Sequence, residues 1–336
     1  MNRIWAVFFV SMSLLFGVAT SHAVLYFPHV DTTANQWQTE ICVINPSTTE
    51  TVQGTLQRYS GAGTVVASMP LSVGPNTRVQ IDVGTGLASA SSTGYVVFQN
   101  TSGSPVGYTK FTQVGGDRVA LPAVDGASTG NIYITHIAWV PWWTGISLVN
   151  TTTETKALTI RFNNGMTRAI NLLPKAQYVN TIGALFDNLI YTAIESAVIE
   201  NAAGIVGLEL FGNGSQLGGV PLNSKTVSTL YYPHVDSTPG QWWTGIVAYN
   251  PSASTTAQFT VNSYNMNGSL LGSTPQSLAP GEKFIGVSTA PELNLPAGTA
   301  WFSLQSQIPL VGFELFGNFA DNNLAGYSTV GLEGKA

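Results

Sequence analysis

Cysteine occurs once in this 336-residue chain, at Cys42, so no intramolecular disulfide can brace the fold. Charge is nearly as scarce. Asp, Glu, Lys and Arg make up 9% of the sequence, against about 25% in an ordinary soluble protein. No run of Lys or Arg is present, which argues against nucleic acid and anionic membrane surfaces as partners. Past residue 23 no apolar stretch reaches the ~18 residues that a membrane helix needs. Solubility therefore rests on Ser, Thr, Asn, Gln and Gly, and stability on buried apolar area. At 44% hydrophobic, the chain has enough for two or three domains.

One apolar run does occur, at the start. MNRIWAVFFVSMSLLFGVATSHA sets Arg3 before an apolar stretch from Ile4 to about Val18, and ends on Ser21-His22-Ala23. Residues 1–23 read as a secretory signal peptide cut after Ala23. The expectation is an exported chain in the periplasm, at the cell surface or outside the cell, with no membrane insertion once the leader is removed.

The remainder is a triplet. LYFPHVDTTANQWQTEICVINP, IYITHIAWVPWWTGISLVNT and LYYPHVDSTPGQWWTGIVAYNP open the three copies. SPVGYTKFTQ, GIVGLELFGN and PLVGFELFGN close them. His29, His136 and His234 lie 107 and 98 residues apart, the length of a small domain and too long for a solenoid repeat. The expected units are 24–125, 126–227 and 228–336. Within each, runs such as ALTIRFNN and AQFTVNSY alternate with Gly, Pro, Asn and Ser clusters. That spacing predicts short antiparallel strands in a β-sandwich, and hence an all-β chain of three tandem sandwich domains. TIGALFDNLIYTAI offers the one helical turn, in a crossover loop.

The order His-strand, W-x-T-x-I-x-V-x-N-P, then P-V-x-G-F-E-L-F-G resembles the Ig-like β-sandwich repeats of secreted bacterial proteins. The resemblance covers all of the chain after residue 23. It implies an extracytoplasmic accessory or structural module and brings no catalytic residues. The first copy departs most, with Tyr108-Thr109-Lys110 where the others have Gly-x-Glu-Leu-type sequence.

Strand alternation splits the tryptophan stretch into two faces. Trp37, Thr39, Ile41, Val43 and Asn45 form the face that hardly changes between copies, with Trp142 and Trp242 as counterparts of Trp37. A fixed face is the expected core face, so Trp37, Trp142 and Trp242 are expected to be folding residues. Gln38, Trp143 and Trp243 then fall on the varying face. Trp143 and Trp243 are the candidate ligand or partner contacts, with Gln38 at the matching place in the first copy. His29, His136 and His234 share a face with apolar residues and are expected as half-buried structural side chains. A metal site would need all three to converge, and none is expected.

Other chemistry is weak. Glu209 and Glu314 are equivalents in separate copies and read as strand-edge carboxylates, not a glycosidase pair. Gly126-Ala127-Ser128-Thr129-Gly130 fits G-x-S-x-G but lies in a linker without the strand-turn-helix setting. Asp321-Asn322-Asn323 reads as a loop tip, and Cys42 lies on the varying face. No cofactor and no enzymatic activity are expected. The expected role is a non-enzymatic structural or interaction protein, with a protein partner, self-assembly or a glycan as its target. The alternative is a carbohydrate-binding protein that uses Trp143 and Trp243 as platforms.

Overall fold

A computed structural model describes residues 24–189, 193–222, 224–236, 241–289, 291, 293–318 and 324–328. The leader expected over 1–23 and the loop tip Asp321-Asn322-Asn323 lie outside the described residues. Their regular secondary structure is almost wholly antiparallel strand.

The first segment holds β1 (Val24–Asp31), β2 (Trp37–Ile44), β3 (Val52–Tyr59), β4 (Val65–Val73), β5 (Arg78–Asp82), β6 (Thr93–Ser102), β7 (Val106–Gln113) and β8 (Arg118–Pro122). They form two sheets, β1-β6-β3-β4 and β5-β2-β7-β8. The second segment holds β9 (Ile132–Ile134), β10 (Trp143–Asn150), β11 (Lys156–Phe162), β12 (Thr167–Leu172), β13 (Gln177–Thr181), β14 (Ala197–Glu200), β15 (Ile205–Gly212) and β16 (Leu217–Leu222). The order recurs there as β9-β14-β11-β12 and β13-β10-β15-β16.

The third segment has β17 (Val227–Tyr232), β18 (Trp242–Tyr249), β19 (Ala257–Tyr264), β20 (Leu270–Leu278), β21 (Lys283–Val287), β22 (Trp301–Asn318) and β23 (Leu324–Ser328). Here one long strand serves both sheets. The first part of β22 pairs with β17 and β19, and its second part with β18 and β23.

Alternation explains each strand. In β11, Leu158, Ile160 and Phe162 are buried while the residues between them are more exposed, the period of a strand with one face on a core. Leu25, Phe27, Leu56, Val96 and Phe98 from one sheet meet Ile41, Val43 and Ile81 from the other in a single cluster. Matching clusters fill the second and third segments. Each such buried side chain contributes about 1.5–3 kcal/mol. The strand order differs from the immunoglobulin one. There the first two strands share a sheet; here β1 and β2 lie in opposite sheets.

Three buried asparagines lock the three segments at the same corner. Asn150 Nδ2 donates to the carbonyls of Glu154 (2.7 Å), Leu172 (3.0 Å) and Leu173 (3.1 Å), and its Oδ1 accepts from Thr152 N (2.9 Å). Asn45 and Asn250 make the same set of bonds in their segments. The crossover is anchored too. Arg58, fully buried, donates to the carbonyls of Leu87 (2.9 Å) and Ser91 (2.7 Å) beside a short helix, α1 (Val83–Gly86). In the second segment Arg168 lies 4.3 Å over the Phe186 ring, beside the 3-10 turn Gly183–Phe186, to which the expected helical turn is confined among the described residues.

Candidate functional site

The segments are joined through sheet faces. Trp143, Leu208 and Leu210, on the outward face of β10 and β15, cluster with Phe111, Val119 and Leu121 of the first segment. Val149 and Val206 meet Tyr95, Val97 and Tyr26 in a second cluster. Polar bonds fix the register. Ser147 Oγ donates to the Pro28 carbonyl (2.7 Å), and Gln177 Nε2 donates to the carbonyls of Pro28 (2.8 Å) and Gly94 (2.9 Å). Tyr95 donates its hydroxyl proton to the Lys175 carbonyl (2.6 Å).

The same joint is made again between the second and third segments. Val247 and Phe313 cluster with Val220. The Phe313 ring sits 6.3 Å from Phe211, and Tyr249 sits 6.0 Å from Tyr133. Lys283 Nζ donates to the Glu195 carbonyl (2.6 Å) and lies 3.3 Å from His136 Nδ1.

These joints relocate the side chains expected in the core. Trp37, Trp142 and Trp242 are half-buried, not core residues. They precede the part of the strand that faces the opposite sheet, so the packed interior begins at Thr39, Thr144 and Thr244, which are buried. Trp37 instead packs in the first joint. The histidines are not equivalent either. His29 is buried in the first joint, His136 is half-buried in the second, and His234 is exposed. Burial pushes His29 down to about 4, against the pull of Asp31. Burial and the Lys283 charge push His136 down to about 3. Both imidazoles are therefore neutral at pH 7.

Of the candidates on the varying face, Trp143 is used up in the first joint and Gln38 is exposed, donating to Asp82 Oδ2 (2.6 Å). Trp243 is different. It lines a cavity of about 290 Å³ between the second and third segments. Its neighbours there are His136, Ala138, Trp142 and Phe211 from one side, and Gly245, Val247, Ile285, Val287, Leu315 and Leu324 from the other. A Cβ at Gly245 would lie 2.9 Å from Trp243 Cζ3, so the glycine lets the indole lie across its own strand. A matching cavity of about 280 Å³ in the first joint is lined by His29, Ser147, Val179, Asn180, Thr181, Leu208 and Leu210 among others.

The acids are the other surprise. Glu209 and Glu314, read as strand-edge residues, are both buried. Glu209 lies opposite Ile146, on the side of the strand away from Leu208 and Leu210. Its Oε1 has no hydrogen-bond partner, and burial pushes its carboxyl up to about 8 although Lys283 pulls the other way. Lys283 is itself pushed down to about 8 by burial, opposed by Glu195 and Glu209. Alternation had signalled this, because the Glu shares a face with Gly207 and Phe211. Glu209 does not lie at a sheet edge, because β15 runs between β10 and β16.

The remaining candidate groups lie apart from these cavities. Ser128 donates its hydroxyl proton to the Gly130 carbonyl (3.0 Å), and Cys42 is buried. Among the described residues no three His, Cys, Asp or Glu side chains lie where they could hold a metal ion. No family model, curated protein or solved structure matches the chain.

Proposed function

We propose that this chain is a non-enzymatic, exported structural and interaction protein of the cell envelope or extracellular space. It is built as three tandem β-sandwich domains, each receiving the sheet face of the next. One observation carries this reading. The receiving half of the joint recurs on the last segment, with aromatic side chains that are only partly covered.

In the two internal joints the receiving phenylalanines, Phe111 and Phe211, are 1% and 2% exposed. Their counterpart Phe316 is only half-buried, and His234 beside it is exposed. Tyr231, Trp301 and Tyr264, half-buried, form a ladder at the place of Tyr26, Tyr95 and Tyr59, with Tyr264 and Trp301 stacked at 4.1 Å. The opposite end of the chain is closed by chemistry. The first segment carries Gln38, Glu40 and Lys110 where the others have Trp, Gly and Leu. Lys110 and Gln80 both bond Glu40, and Gln38 bonds Asp82. Such a satisfied polar sheet is how a tandem array caps one end. It also makes the chain's own free sheet a poor occupant of the last segment's receiving face. The partner that fits is a protein with an apolar sheet face of the kind the second and third segments show.

The test converts the cap into a joint. The triple variant Gln38→Trp, Glu40→Gly, Lys110→Leu is expected to associate head-to-tail in a concentration-dependent way by light scattering, while the unaltered chain does not. Adding Trp301→Ala should reverse it. A folded triple variant that shows no association would sink the reading. A carbohydrate-binding role has less support, because Trp143 is covered and the surroundings of Trp243 offer few partners for sugar hydroxyls.

A further inference from the structure

We infer that the cavity under Trp243 is a binding site for a small, uncharged aromatic molecule. This goes beyond the proposed function and does not depend on it.

Polarity limits the ligand first. Among the described residues, the side-chain polar groups of the lining are the His136 imidazole and the indole N–H groups of Trp142 and Trp243. The His136 Nδ1 faces the Lys283 ammonium at 3.3 Å, which fixes the ring proton on Nε2. The strand backbone contributes little, since Gly245 and Gly286 lie in paired positions of the β18–β21 ladder. A sugar or an ion would lose its water for few replacement bonds there, at a cost of several kcal/mol. An apolar ring needs none of them.

Shape then favours a flat occupant. Trp243 is laid across Gly245, while Trp142 and Phe211 come from the other segment. The volume, about 290 Å³, sits at the lower edge of ordinary ligand pockets, which start at about 300 Å³. Offset stacking between aromatic rings adds about 0.5–1.5 kcal/mol per contact to simple burial.

The rim supplies an independent argument. Ile285 and Val287 are 50% and 40% exposed although apolar. They pair with Val247 and Gly245. At the same register the first segment has Gln80 and Asp82, paired with Cys42 and Glu40, and the second has Val179 and Thr181, paired with Ser147 and Gly145. The fold therefore tolerates polar residues at both rim positions. Apolar side chains there are not needed to build the sheet, and they make an entrance suited to an apolar guest.

The probe is N-phenyl-1-naphthylamine, an uncharged aromatic dye, titrated into the full chain and followed by its own fluorescence and by energy transfer from tryptophan. Saturable binding at one site per chain is expected. Trp243→Ala and Ile285→Lys should each weaken it by about tenfold or more. Ile285 is half-exposed, so its replacement leaves the core intact even where Trp243→Ala loosens the joint. Val179→Lys, at the matching place in the first cavity, should leave the affinity unchanged. Absence of saturable binding would overturn the site. So would affinity that survives both cavity substitutions, or that falls equally with Val179→Lys.

Discussion

Gln177 and Lys283 stand at the same register in successive segments, paired with Val149 and Tyr249, and each reaches back to a carbonyl of the preceding segment. Gln177 bonds Gly94 and Lys283 bonds Glu195. Those carbonyls also correspond, each lying two residues before the partner of Phe27 or Ile134 in the neighbouring ladder. The joint is thus one design written twice with different donors, an amide and an ammonium.

Removing the amide should loosen the first joint. Gln177→Leu leaves the buried carbonyls of Pro28 and Gly94 without that donor, at an expected cost of about 2–3 kcal/mol. Lys283→Gln should retain more stability than Lys283→Leu, because the amide already serves at the equivalent place. Urea unfolding of the three variants reads both effects, and equal losses for the two Lys283 variants would contradict the shared design.

Acid should attack the joints. His29 and His136 titrate near 4 and 3 in the fold and near 6.5 when unfolded. Between those values the unfolded chain binds more protons, so stability is present above pH 6.5 and is lost as pH falls. Each histidine contributes a slope of at most about 1.4 kcal/mol per pH unit. Denaturation midpoints measured from pH 7 to 4 should decline, and His29→Gln with His136→Gln should flatten the decline.

Glu209 works in the opposite sense. Its folded value of about 8 lies above the unfolded carboxylate range, so the folded chain holds the extra proton. Its contribution is complete at low pH and is lost as pH rises toward 8. Glu209→Gln should remove this loss, leaving a chain more stable at pH 8 than the parent. A parent whose stability is unchanged by the substitution at pH 8 would show that the carboxyl is not buried as described.

The asparagine corner separates size from chemistry. Asn150→Ala loses three donated bonds and is expected to cost about 2–3 kcal/mol. Asn150→Asp keeps the shape but turns acceptor oxygens toward three carbonyls, and should cost more. Calorimetric melting of the two variants decides it.

The two outward tryptophans should part company. Trp143→Ala empties a packed cluster, at about 3 kcal/mol. Trp243→Ala enlarges a cavity that is already there, and should cost less than half as much by the same melt.

The strands were legible because alternation is local. A run such as KALTIRF carries its own inward face, and the asparagines announced their corner through Asn-Pro and Asn-Thr turns. The acids and the tryptophans were misread for different reasons. Period-two alternation separates two faces but does not say which is inside, and here both faces of the β10 and β18 sheets are covered. Leu208 and Leu210 therefore face a neighbouring segment, and Glu209 goes inward. Invariance of Trp37, Trp142 and Trp242 reflected a shared position at or just before the start of the strand, not burial. The histidines differ in exposure because His29 and His136 lie against side chains of the next segment, Gln177 and Lys283, a long-range contact that no property of the local sequence records.

In the first segment Gly103-Ser104-Pro105 separate β6 from β7, and in the second residues 201–204 separate β14 from β15. β22 has no such break from Trp301 to Asn318, and β17, β19, β18 and β23 all hang on it. A fluctuation that frees one sheet of the third segment unpairs the strand that completes the other. Its backbone amides should exchange with solvent as one cooperative group, where each earlier segment has two. The last segment keeps one clock for both of its sheets.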